Sequence, residues 1–241
     1  MGLSVEYLFH KFYEVIIGGA AFNKEVEAFF KRMGFPFTVG YGMTECAPII
    51  TYDDWKEEKL YSCGKAAPNM EVRIASADPV NIPGEIQVKG ANVFLGYYKN
   101  ETATSEVFTE DGWFRTGDMG VLDADGSLFI KGRTKCMILG PSGQNIYPEE
   151  VETVLNSQPY VVDSLVIEDD GGLTALIYPD FQQGAKDGMD QRAFLQYIKD
   201  LLPEWNKELP NYAKLKKIEV MSEDFERTPK KSIKRYLYQR N

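Results

Sequence analysis

Histidine is almost absent: His10 is the only one in 241 residues. A histidine-based catalytic triad and a multi-histidine zinc site are therefore excluded. Cysteine is scarce too. Cys46, Cys63 and Cys136 are odd in number, far apart and in no C-x-x-C pair, which fits free thiols in a reducing cytoplasm better than a disulfide or metal set. No apolar run approaches 18 residues and no signal peptide opens the chain, so neither a transmembrane segment nor secretion is expected. Positive charge is also in deficit, with 27 Lys and Arg against 36 Asp and Glu and a formal charge of −9. The exception is the tail, where residues 211–241 carry nine basic and four acidic side chains. The rest of the chain holds 18 basic and 32 acidic residues and would be repelled by a polyanion. No aromatics alternate with the tail's basic residues as in single-strand binders, so no nucleic-acid partner is expected.

What is present is ordinary globular material, 44% hydrophobic and 26% charged, enough for one large or two ordinary domains. EVII at 14–17 is a short apolar strand running into Gly18-Gly19-Ala20. Asn23 is a good N-cap for a helix that puts Val26, Phe29, Phe30 and Met33 on one face, stopped by Gly34 and Pro36. FTVGYG then reads as a second strand, and strand–helix–strand over about thirty residues is a parallel βαβ unit. Both strand C-termini, GGA at 18–20 and GYGMTE at 40–45, emerge at one sheet edge. Ligands of open parallel sheets bind outside that edge, where glycine lets backbone come close. Two tight turns with packing roles are the plainer alternative.

Between Tyr61 and Lys131 short strands alternate with turn signals: MEVRIAS, GEIQVKG and SLFIKG, separated by IPG, EDGW and DADG. This is an antiparallel, barrel-like β region. A connector rich in Gly, Lys and Ser follows at 132–143, then a compact α+β segment. Pro148 starts a helix to about Asn156, VVDSLVIEDDGGLTALIYPD is a hairpin turning at Asp170-Gly171-Gly172, Asp190 caps another helix, and KKIEVM is a last strand.

Five stretches stand in order: GGA, YGMTE, GWFRTGD, GRTKCMILGPSGQNIYPEEVE and the closing TPKKSIKR. Together they resemble the C-terminal half of the adenylate-forming superfamily, which comprises the acyl-CoA synthetases, luciferases and peptide-synthetase adenylation domains. GMTECAPII looks most like the long-chain fatty-acid–CoA ligases. The resemblance covers nearly the whole chain. It implies an α/β plus α+β fold: residues 1–131 would be the C-terminal part of the large AMP-binding domain, with the βαβ unit at 13–45 and the β-rich part at 61–131. Residues 132–241 would be a small mobile lid domain.

The activity implied is carboxylate activation by ATP to an acyl-adenylate, then thioester formation with CoA. Step one brings two anions together, and hydroxyls, amides, Mg²⁺ and a lysine are the usual means of stabilising the charge that builds. Thr44 would offer a hydroxyl to the α-phosphate and Glu45 a hard carboxylate to Mg²⁺. Gly19 and Ala20 would lie against adenine, with the Gly40-Tyr41-Gly42-Met43 turn beside them. Tyr41 would stack on the base, or is simply a core aromatic. Asp118 resembles the acid that accepts from both ribose hydroxyls; an Asp in a β-turn is its alternative. Arg133 would reach ribose or phosphate, and Lys135 falls on the hinge position. Ser142 and Gly143 would approach the pantetheine arm of CoA, with Asn145 and Pro148 setting up the next helix.

The closing motif departs from the family pattern T-P-x-G-K-I-x-R. Laid ungapped, Thr228, Pro229, Ile233 and Arg235 match, Lys231 replaces the glycine and Ser232 falls on the catalytic lysine. Lys231 could serve by a one-residue shift, with Lys230 or Lys234 less suited; alternatively the chain is a degenerate member that binds nucleotide without catalysis. The family's phosphate loop, a Ser/Thr/Gly-rich stretch ending in Pro-Lys-Gly, is missing, as is most of the acyl pocket. The chain is thus expected to be a piece of a longer protein, partnered by the N-terminal half, and unable to complete adenylation alone.

Overall fold

The computed structural model describes residues 13–19, 22–140, 143–229 and 231–240. The chain divides into two compact units, Met1–Lys135 and Cys136–Asn241, so the division falls directly after Lys135.

In the first unit β1 (Val15–Ile17) pairs in parallel with β2 (Phe37–Val39). The connecting helix α1 (Lys24–Arg32) is capped by Asn23, whose side chain accepts from the N–H groups of Glu25 and Val26 at 2.9 and 3.1 Å. Of the apolar stripe read from the sequence only Phe30 packs inward, half-buried against Phe35 and Phe37. Val26, Phe29 and Met33 are 39, 48 and 37% exposed, whereas Glu27 is buried. The reason is a specific contact: Glu27 Oε1 accepts the backbone N–H of Tyr61, and that anchorage turns the acid inward.

The β-rich part forms two sheets. One orders β3 (Tyr41–Gly42), β4 (Ile49–Tyr52) and β5 (Lys65–Ala66). The other is an antiparallel meander of β6 (Met70–Ala75), β7 (Gly84–Gly90), β8 (Phe114–Leu122) and β9 (Leu128–Arg133). Among the described residues these sheets are open, without the ladder that would close a barrel. Ile50, Met70, Ile74, Ile86, Val88, Phe114 and Leu128 form their shared core. Helix α2 (Glu101–Val107), which sequence reasoning missed, sits between β7 and β8.

The second unit opens with a hairpin of β10 (Ile138–Leu139) and β11 (Asn145–Ile146), followed by α3 (Pro148–Leu155). The hairpin read from the sequence is present as β12 (Val161–Asp169) and β13 (Gly172–Pro179), turning through Asp170 and Gly171 at φ 51 and 66°. After α4 (Phe181–Lys186), α5 (Gln191–Asp200) and α6 (Leu202–Glu208), strand β14 (Leu215–Val220) joins β13 in parallel. The sheet is buried on both faces by period-two alternation. Val166, Leu173, Ala175 and Ile177 pack against Phe194, Ile198 and Trp205, while Leu165, Ile167 and Leu176 pack against Phe225. No described helix is long and apolar enough to cross a membrane, and none of Cys46, Cys63 and Cys136 is in a disulfide.

Candidate active site

The two glycine turns meet at the end of the parallel pair. Gly40 N–H donates to Ile17 O at 2.8 Å, and a side chain on Gly18 would stand 3.3 Å from the Gly40 carbonyl. Gly42 has no alternative residue: an added Cβ would lie 2.0 Å from the Pro48 carbonyl. That close approach lets Met43 N–H donate to Pro48 O at 2.8 Å and closes the loop carrying Thr44 and Glu45.

Tyr41 and Asp118 come together from distant segments. The Tyr41 hydroxyl donates to Asp118 Oδ2 at 2.7 Å, and Arg133 Nε lies 3.3 Å from Oδ1. Tyr41 is a core side chain, 9% exposed and packed with Cys46 and Ile50. Its ring belongs to the protein interior and its hydroxyl aims the acid. Asp118 is inside strand β8 rather than in a β-turn. Between Glu85–Met119 and Gln87–Arg115 the ladder skips residues 116–118, a bulge with Gly117 at φ 74°. Bulges re-aim side chains, and here Asp118 lands opposite Arg133. Burial pushes the Asp118 carboxyl above its ordinary range, against the opposing pull of the Tyr41 hydrogen bond and the Arg133 charge. Burial, then the Asp118 charge, holds the Tyr41 phenol well above its usual value. Oδ2 accepts from Tyr41 and Oδ1 is ion-paired with Arg133, so both oxygens keep lone pairs and the carboxylate can still receive two vicinal hydroxyls.

Thr44 and Glu45 occupy the 3₁₀ turn Thr44–Cys46, with Thr44 exposed and Glu45 partly so. Among the described residues Glu45 makes no ion pair with Lys or Arg; Oε1 accepts from Tyr97 at 3.2 Å. A carboxylate without a cationic partner, beside an exposed hydroxyl, fits Mg²⁺, which is commonly held by one or two carboxylates plus substrate phosphates. Among the described residues no cluster of three or more His, Cys, Asp or Glu forms an all-protein metal site. Sequence reasoning missed Tyr97, whose partner Glu45 is 52 residues away in the chain.

Lys135 lies exposed in the 3₁₀ turn Thr134–Cys136. In the second unit, Gly143 adopts φ 78° in the β10–β11 loop, where an added Cβ meets nothing within 4 Å. Asn145 lies in β11 and Pro148 opens α3. Ala20, Ser142, Lys230 and His10 lie outside the described residues.

The closing motif folds as a hairpin. Arg227 bridges Ile233, Thr228 N–H donates to Ser232 O at 2.8 Å, and Lys231 N–H to Thr228 O at 2.8 Å. Lys231 takes φ 63° at the tip, the conformation that favours glycine. Lys231 and Ser232 are both exposed, while Lys234 pairs with Glu226 at 3.1 Å. The tail's arginines are ion-paired. Arg227 binds Asp163 at 2.6 Å, Arg235 binds Glu152, and Arg240 spans Asp169 at 2.8 Å and Glu219 at 2.5 Å. Among the described basic residues of the tail, Lys217, Arg227, Lys234, Arg235 and Arg240 are thus ion-paired with acids of the same unit, whereas Lys231 stands exposed.

Comparison with known proteins gives the family. The profile described as AMP-binding enzyme matches residues 5–98, and the AMP-binding enzyme C-terminal domain matches residues 137–241. The chain belongs to the AMP-binding, adenylate-forming enzyme family. It is 36% identical over 154 residues to a long-chain-fatty-acid–CoA ligase of Mycobacterium tuberculosis, covering 64% of this chain and 24% of that one. It is 39% identical over 155 residues to the 2-succinylbenzoate–CoA ligase of Bacillus subtilis, covering 62 and 32%. The solved O-succinylbenzoate CoA synthetase of B. subtilis with ATP and magnesium superposes with a TM-score of 0.78 at 29% identity, covering 95% of this chain and 48% of that one. The chain therefore spans under half the length of these relatives.

Proposed function

We propose that this chain is the C-terminal portion of an ATP-dependent acyl-CoA ligase, holding the ribose side of the nucleotide site, the metal-facing turn and the lid. The Tyr41–Asp118–Arg133 cluster carries the reading, because it presents an oriented carboxylate beside the glycine turns. Asp118 would accept from both ribose hydroxyls, with Arg133 near ribose or phosphate. Gly19 and the Gly40–Met43 turn would leave backbone open to the purine edge. Thr44 would donate its hydroxyl to the α-phosphate, and Glu45 would hold Mg²⁺. Bound Mg²⁺ would neutralise phosphate charge during attack by the carboxylate. Ser142 and Gly143 would flank the CoA thiol arm, and Lys135 would be the pivot between the two steps. The acid is a carboxylic acid, for which a fatty acid is our narrower reading, supported by the long-chain relative; the succinylbenzoate relative favours a bulkier aromatic acid. The test is acyl-CoA formation by the whole protein across both acid classes, with Asp118→Ala expected to abolish it. Activity unchanged in that variant would refute the assignment.

One observation favours a second reading, a nucleotide-binding member with impaired adenylation. Lys231 holds the motif's glycine-like place at φ 63°, so the ungapped register puts Ser232 where a cation is expected. A large gain in adenylation by Ser232→Lys supports this second reading; no gain points to Lys231 as the working cation.

A further inference from the structure

The segment 92–97 clamps the Glu45 turn at three levels. Asn92 Nδ2 donates to the carbonyls of Cys46 at 2.6 Å and Ile49 at 3.0 Å. Phe94 N–H donates to the Glu45 carbonyl at 2.8 Å. The Tyr97 hydroxyl then reaches the Glu45 carboxylate itself, at 3.2 Å from Oε1. The strap is itself fixed. Tyr97 N–H donates to Thr104 Oγ1 at 2.9 Å, and that hydroxyl donates to Asn100 O at 2.8 Å. The Phe94 ring packs edge-on against Tyr97 at 4.9 Å and against Phe114 at 5.3 Å.

We infer that Tyr97 is a positioning residue for the metal–nucleotide site: its hydroxyl holds Glu45 Oε1 and so aims Oε2 at the cation. This rests on the reading of Glu45 as the Mg²⁺ ligand. The bonds from the Asn92 side chain and the Phe94 N–H to backbone carbonyls fix where the turn lies, and among the described residues Tyr97 is the partner that fixes which way the carboxylate faces. Direction matters because Mg²⁺ demands near-octahedral geometry and ligating carboxylates rely on outer hydrogen bonds to hold it. Tyr97→Phe keeps the ring contacts and deletes the hydroxyl alone.

The experiment measures Mn²⁺ binding in the presence of ATP, by electron paramagnetic resonance, on the intact protein that carries this chain. The proteins compared are wild type, Tyr97→Phe, Tyr98→Phe and Glu45→Gln. We expect Tyr97→Phe to weaken Mn²⁺ by roughly tenfold, with metal-free AMP affinity and the unfolding midpoint unchanged. Tyr98, 88% exposed, should have no effect when changed. Unchanged Mn²⁺ affinity in Tyr97→Phe, with Glu45→Gln defective, overturns the positioning role alone. Unchanged affinity in Glu45→Gln overturns the metal reading and the positioning role with it. Loss of metal-free AMP affinity in Tyr97→Phe equal to the loss of Mn²⁺ would make the residue merely structural.

Discussion

Tyr41 and Asp118 stand 77 residues apart in sequence, yet their side chains meet over 2.7 Å in the interior of the first unit. The bond joins the second glycine-rich turn to a bulge in the meander, and it makes a core aromatic part of the candidate site. Tyr41→Phe should therefore act on stability and binding together. Removing the hydroxyl leaves a buried carboxylate short of a donor, at a cost of about 1–3 kcal/mol. Urea unfolding of Tyr41→Phe, Asp118→Asn and the double variant checks this, and the double variant should fall short of the sum of the two.

Arg235 anchors the end of the closing hairpin to the rest of the second unit. Its guanidinium meets Glu152, whose Oε1 also accepts Val166 N–H at 2.7 Å, and Glu149 lies 3.9 Å away. Burial pushes the Glu152 carboxyl upward while Arg235 opposes it. Arg235→Met should destabilise the second unit by about 3–5 kcal/mol near neutral pH, because it strands a buried carboxylate. Changing Glu152 to Met as well should restore much of the loss, measured by urea unfolding.

Glu58 gives a pH signature. It is 5% exposed, neither oxygen has a hydrogen-bond partner among the described residues, and the nearest cation is Lys31 Nζ at 4.0 Å. Burial, then the neighbouring Glu27 charge, pushes its carboxyl up to about 7 from 4.5. A carboxyl raised in the folded state binds more protons folded than unfolded. Its favourable contribution is thus complete below 4.5 and lost as pH rises through about 7. Stability of the first unit should decline across that window, and Glu58→Gln should flatten the decline in a series of denaturant titrations.

In the closing hairpin, Lys231 sits at φ 63°, where a side chain is strained. Lys231→Gly should stabilise the hairpin by about 1 kcal/mol. If Lys231 is the working cation, the same change should also remove adenylation. Combining it with Ser232→Lys tests both ideas by pyrophosphate exchange in the intact protein.

Much of this was legible in the sequence because the signals were local. Asn23 announced a cap, Asp170-Gly171 a hairpin and the glycine turns a sheet edge, each within a few residues. What was not legible depended on long-range contacts. Helix α1 turns Glu27 inward because Tyr61, far along the chain, offers an amide. Asp118 resembles a turn residue until β7 shows the ladder skipping it. Tyr97 has no local mark, since its partner Glu45 is 52 residues away. The motif arginine Arg235 was recognisable by position, but its place against Glu152 depends on packing across 83 residues.

The most direct test of the account is calorimetric titration of the 241-residue chain with AMP and with 2′,3′-dideoxy-AMP, in wild type and Asp118→Asn. If Asp118 receives both ribose hydroxyls, wild type prefers AMP by about tenfold or more, and Asp118→Asn loses that preference while the dideoxy ligand binds both proteins alike. Equal affinity of wild type for the two nucleotides, or an undiminished preference in Asp118→Asn, would contradict it.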